Sequence, residues 1–100
     1  MKAAFAAGMM LALPLSAQGQ ELGRKVFTEL AQPPCKLCHA LKAAGAEGKL
    51  GPSLDELQPD KAKVLDQVSK GAGVMPRYDD KLTPEQIEAV ADYVARVAGR

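Results

Sequence analysis

Apolar residues recur at helical spacing in three stretches of the chain. Over residues 21–31, Leu22, Val26, Phe27 and Leu30 fall on one face, which predicts a helix with one buried side. Gly23 interrupts that stretch, where it costs up to about 1 kcal/mol relative to Ala. It marks either a close approach of another helix or a tolerated Gly near a frayed end. Pro33 and Pro34 stop the helix. Residues 59–70 form a second helix with Val64, Leu65 and Val68 inward and Gly71 as its C-cap. The third opens at Thr83-Pro84-Glu85-Gln86: an N-cap Thr, Pro at the first helical position and Gln three after the cap. Its buried stripe is Ile87, Val90, Ala91, Val94 and Val97, with Tyr93 beside it. Residues 39–53 carry Gly45, Gly48 and Gly51 and no long apolar period. They read as one helical turn after residue 39, then a loop. The pattern is all-α, with three to four short helices and no internal repeat.

The first nineteen residues stand apart. Lys2 is followed by an apolar run over residues 3–15 that is too short for a stable bilayer span, then by small residues. This reads as an export signal, residues 1–19, cleaved near 17–19. The competing reading, an uncleaved anchor helix, is opposed by Pro14 and by the shortness of the run. Residues 20–100 then form one small domain. Export would place it in the periplasm, with no membrane span after cleavage.

Charge excludes more than it suggests. The chain carries 13 basic and 12 acidic residues, and Lys2 leaves with the signal. A neutral domain has no global steer toward nucleic acid or membrane, so any docking charge must be local. Aromatics are scarce: Phe27, Tyr78 and Tyr93 are left after the signal, and there is no Trp. A domain this small has trouble building a sufficient core from its own side chains.

Cys35-Lys36-Leu37-Cys38-His39 answers that difficulty. C-x-x-C-H is the pattern of c-type haem attachment. Two thiols at this spacing add across the two vinyl groups of one haem, and the adjoining imidazole of His39 suits iron. A thioredoxin-like redox pair would sit beside a strand of a βαβ unit, which the pattern lacks. Closed zinc sites take four Cys or His ligands, and the chain has two Cys and one His. A disulfide would close a very short loop and leave His39 without a purpose. A buried haem also supplies the flat apolar core that the side chains do not.

Two further residues are candidates around such a haem. Met75 is the one thioether beyond the signal. It lies in the flexible, Gly-rich segment 71–78 before Pro76, not on a helix face, and far enough past His39 to reach the other side of the iron. It is read as the second axial ligand. Core filling is the competing reading, and Lys70, Lys81 or an N-terminal amine are weaker ligands. Pro52 keeps a carbonyl that its stiff φ would aim at the ring N–H of His39, as metal-bound imidazoles require; an ordinary loop proline is the other reading.

Together these residues resemble a short class I c-type cytochrome of bacteria. The resemblance covers nearly all of the chain from Glu21. It rests on Gly23 and Phe27, on Cys35, Cys38 and His39, on Gly51-Pro52-Ser53-Leu54, on Val74-Met75-Pro76, and on Tyr93. It implies a small cytochrome c fold whose first and last helices cross at Gly23 and Tyr93. It implies thioethers to Cys35 and Cys38, iron held by His39 and Met75, and the Pro52 carbonyl orienting His39. The brief loop between His39 and Gly51 sets the chain apart from longer mitochondrial-like members. More loosely, the chain is similar to the small cytochromes that accept electrons from periplasmic sulfite dehydrogenases.

The expected role is single-electron transfer rather than substrate chemistry, since six-coordinate iron offers no open position. Soft thioether ligation favours Fe(II) and raises the potential. A donor and an acceptor would dock transiently on a monomer at the haem edge, with Lys36, Lys42, Lys49 and Arg77 as candidate contacts. Each is otherwise a solvated charge. Without Met75 ligation the iron would have one open face, and a gas-binding or sensor role would follow. A fixed cytochrome subunit of an oxidoreductase complex is the third reading.

Overall fold

The structure, a computed structural model, describes residues 14–100. The expected signal lies largely outside the described residues. Among the described residues four α-helices surround a small apolar core: α1 (Leu15–Lys25), α2 (Leu54–Leu57), α3 (Lys61–Lys70) and α4 (Pro84–Val97).

Helix α1 starts earlier than the apolar period predicts, at Leu15, and passes into a π-helical turn over Val26–Leu30. The turn is closed by Ala31 N–H donating to Val26 O at 3.1 Å. One extra residue per turn rotates the helix face. Leu30, expected inward, is therefore 36% exposed, and Ala31 is fully buried in its place.

Helices α1 and α4 pack face to face through Gly23. A Cβ there would overlap the Ala89 carbonyl oxygen and the Tyr93 Cβ, which decides for close helix approach. The rings of Phe27 and Tyr93 lie beside that contact, with centroids 6.5 Å apart and planes tilted by 59°. The predicted opening of α4 is present as a full capping box. Gln86 N–H donates to Thr83 Oγ1 at 3.1 Å, and Thr83 N–H donates to Gln86 Oε1 at 2.9 Å. Ile87, Val90, Ala91, Tyr93 and Val94 are buried.

Helix α3 begins two residues later than expected. Asp60 is its N-cap, accepting from Lys63 N–H at 2.8 Å, because Pro59 cannot supply a side-chain acceptor. Val64 and Val68 are buried, and Gly71 caps the other end at a positive φ of 73°.

The expected helical turn does not follow His39 directly. The chain there is extended, in a two-residue hairpin β1 (Ala40–Leu41) and β2 (Ala46–Glu47), with Leu41 opposite Ala46. Leu41 and Ala46 fill the core. A short 3-10 turn over Lys42–Ala44 joins them. The one-turn helix α2 was also not expected. Ser53 caps it by accepting from Glu56 N–H at 3.3 Å, a Ser-x-x-Glu pattern that is visible in the sequence. Among the described residues no helix is long and apolar enough to cross a membrane.

Candidate haem site

The segment around the two cysteines is built by its prolines. Pro34 is extended, φ −68° and ψ 145°, and Cys35–Leu37 forms one 3-10 turn. Leu37 N–H donates to Pro34 O, Cys38 N–H to Cys35 O and His39 N–H to Cys35 O, all at 3.0 to 3.1 Å. In a 3-10 turn residues i and i+3 eclipse, so Cys35 and Cys38 share one face. Neither is in a disulfide, and both line a single cavity of about 420 Å³. Loss of solvent pushes the Cys35 thiol up to about 12, with Cys38 adding to the rise.

His39 enters the same cavity. Its Nδ1 lies 2.7 Å from the Pro52 carbonyl oxygen. With Nδ1–H donating, the Nε2 lone pair is left for a metal. The loop that carries Pro52 passes against the imidazole. A Cβ on Gly51 would sit 2.7 Å from His39 Cε1, and Gly51 N–H donates to Cys38 O at 2.7 Å. Only Gly permits both contacts.

Met75 is half-buried and lines the cavity with Pro76 and Tyr78. Its segment is not the flexible approach expected from its glycines. Ala72 and Met75 exchange two backbone hydrogen bonds, at 3.0 and 2.9 Å, so the side chain leaves a closed turn. The expected site residues Cys35, Cys38, His39, Pro52 and Met75 are thus brought to one cavity.

Composition and spacing left other lining residues unread. Phe27, Val90 and Val94 supply apolar wall from the first and last helices, and Val64 and Val68 supply it from α3. Lys63 and Gln67, one turn apart on α3, also line it. Tyr78 is 3% exposed and donates from its hydroxyl to Pro33 O at 2.6 Å. Burial pushes its phenol up to about 12. An aromatic three residues after the lone Met was the available signal. Of the expected docking cations, Lys36, Lys42 and Lys49 are exposed, whereas Arg77 is tied to Asp79 by paired bonds of 2.7 and 2.6 Å.

The residues present fit a haem. Two thiols, an imidazole with one nitrogen already engaged and a thioether share one apolar enclosure. Leu50, Leu57 and Val74 line it while 74%, 56% and 86% exposed. Apolar side chains this bare at a cavity mouth suit a large flat apolar group that covers them.

Residues 19–94 match the family model described as cytochrome c oxidase, cbb3-type, subunit III. The chain belongs to the class I c-type cytochromes. It is 33% identical over 82 residues to the cbb3-type cytochrome c oxidase subunit FixP of Bradyrhizobium diazoefficiens, a match covering 77% of this chain and 27% of that one. The cytochrome thus spans about a quarter of the length of the FixP proteins it matches. It is 26% identical over 73 residues to cytochrome c-551 of Halorhodospira halochloris, covering 72% and 92%. The crystal structure of the c-type cytochrome SorU from Sinorhizobium meliloti superposes with a TM-score of 0.81 at 49% identity, covering 84% of this chain and 95% of that one. As a c-type cytochrome the protein carries a covalently bound haem c with its iron. That group would supply one-electron chemistry, and the residues lining the cavity would supply its attachment, ligands and enclosure.

Proposed function

We propose that the protein is a periplasmic electron shuttle whose haem c is attached to Cys35 and Cys38 and ligated by His39 and Met75. The observation that carries this reading is the single cavity lined by both cysteines, by His39 with Nδ1 held on Pro52 O, and by Met75. In this reading the Pro52 carbonyl fixes the His39 tautomer and raises its basicity. Met75 completes the coordination and favours the reduced state. The apolar wall keeps water from the iron. No position is left for a substrate, so the protein is a carrier and not an enzyme.

Residues 1–19 are the export signal in this reading, and the short apolar run after Lys2 supports it. Donor and acceptor dock transiently at the haem edge, with Lys36, Lys42 and Lys49 as contacts. The donor is a dehydrogenase, with a sulfite dehydrogenase favoured by the loose likeness to cytochromes of that role. The acceptor is a terminal oxidase or another acceptor. A second reading, a fixed subunit of an oxidase, is favoured by the cbb3-type description of the matching family and by the FixP relatives.

The optical spectrum of the exported protein tests the site. Sharp c-type bands on reduction, with the weak far-red band of Met-ligated ferric iron on oxidation, are expected. Met75→Ala should remove the far-red band, lower the potential and open a site for carbon monoxide. A variant with unchanged spectrum and potential would remove Met75 from the coordination sphere. Size-exclusion of native extract separates the two readings: a shuttle elutes alone, a fixed subunit with its complex.

A further inference from the structure

Tyr78 is a junction between four parts of the fold. Its backbone N–H donates to Val68 O at the end of α3, at 2.9 Å. Its carbonyl accepts from Lys81 and Leu82 N–H at 3.0 and 2.9 Å, closing the turn that leads to α4. Its ring lines the haem cavity beside Met75 and Pro76, and its hydroxyl donates to Pro33 O at 2.6 Å. Lys81 repeats the last link, with Nζ 5.6 Å from the Tyr78 ring centroid and 3.4 Å from Gln32 O.

The hydroxyl bond joins two segments that are otherwise distant in sequence. Pro33 lies two residues before Cys35, and Tyr78 lies three residues after Met75. We propose that Tyr78 is a positioning residue for Met75: its bond to the Pro33 carbonyl holds the Met75 turn against the segment that carries Cys35. The inference rests on the reading of Met75 as a ligand.

The chemistry says where the tether matters. A soft thioether holds Fe(II) more firmly than Fe(III), so the ferric protein is the state in which Met75 is most easily displaced. Ring burial alone would fill the core. The hydroxyl adds a directional bond to the Pro33 carbonyl, which accepts no backbone N–H among the described residues. Tyr78→Phe keeps the ring and removes that bond alone.

The test is an imidazole titration of the ferric holoprotein, followed by the far-red band. Tyr78→Phe is expected to raise the apparent imidazole affinity on the order of tenfold while haem attachment and helical circular dichroism stay as in the parent. The reduced spectrum should be unchanged. Lys81→Gln, at an exposed side chain, should shift the affinity in the same direction by less. In a Met75→Ala background, Tyr78→Phe should add nothing, because there is no ligand left to position. An unchanged affinity in Tyr78→Phe, with Met75→Ala fully opened, overturns the tether and leaves the ligand reading intact. Met75→Ala without effect on the spectrum overturns the ligand reading itself. A lower melting temperature with no change in imidazole affinity reduces Tyr78 to a core residue. A further rise in the Met75→Ala background makes it a gate to the cavity instead.

Discussion

Gly23 of α1 and Tyr93 of α4 meet with no room for a side chain between them: a Cβ on Gly23 would overlap both the Tyr93 Cβ and the Ala89 carbonyl oxygen. Gly23→Ala gains up to about 1 kcal/mol of helix propensity. It loses about 1–3 kcal/mol to overpacking against backbone that cannot yield. The loss is expected to win, and denaturant unfolding of the holoprotein will show a lower midpoint. A midpoint at or above the parent's would mean that the two helices can separate without cost.

Tyr93 carries a second expectation. Its ring is buried, yet its hydroxyl has no hydrogen-bond partner among the described residues. Burial raises the phenol, and the neighbouring Arg24 guanidinium opposes that rise. Tyr93→Phe removes an unpaired buried group and should leave stability within about 0.5 kcal/mol of the parent or raise it. A loss above about 1 kcal/mol would establish an Arg24 bond.

The Gly51–His39 contact gives a redox expectation. Gly51→Ala pushes a methyl group into the imidazole ring and displaces Nδ1 from Pro52 O. A less basic imidazole stabilises ferric iron less well, so the potential should rise while the haem stays attached. Potentiometric titration measures it. An unshifted potential would mean that the Pro52 bond does not tune the iron.

Asp55 links the turn after β1 to the end of the chain, accepting from Lys42 N–H and Gly99 N–H, both at 2.8 Å. These two backbone donors hold its carboxyl below the usual carboxylate range, the Gly99 bond first. A depressed pKa stabilises the fold above the unfolded-state value, and that stability is lost as pH falls through the folded-state value. Melting temperature should therefore drop below about pH 4. Asp55→Asn should be less stable at neutral pH and show a shallower drop. Asp66 and Asp79, held down by Lys70 and Arg77, act in the same window, so the drop should shrink rather than vanish. An identical pH profile in the variant would remove Asp55 from the acid response.

Arg77 and the three exposed lysines should differ as docking charges. Oxidation of the reduced protein by ferricyanide, an anionic probe, should slow at low salt when Lys36, Lys42 and Lys49 are all changed to Gln, and converge with the parent at high salt. Arg77→Gln should change it less than any one of the three lysine changes does, because Asp79 already engages the guanidinium donors. Equal effects would mean that the Asp79 pair does not screen Arg77 from an approaching anion.

What the sequence determined by itself was whatever is local. C-x-x-C-H at residues 35–39 carries its own covalent logic, and the apolar periods and the Thr83–Gln86 box specify α3 and α4 within a few residues of chain. What only the tertiary structure decided was whatever depends on a partner brought from elsewhere. The π turn at Val26–Leu30 shifts Leu30 outward and Ala31 inward, and no helical period signals it. Gly23 and Gly51 become necessary only against Tyr93 and His39. The Pro52 carbonyl meets His39 Nδ1 at 2.7 Å across thirteen residues. Tyr78 reaches Pro33 across forty-five. A lone hydroxyl or carbonyl has no periodicity to read; its role exists only once folding has placed its acceptor or donor beside it.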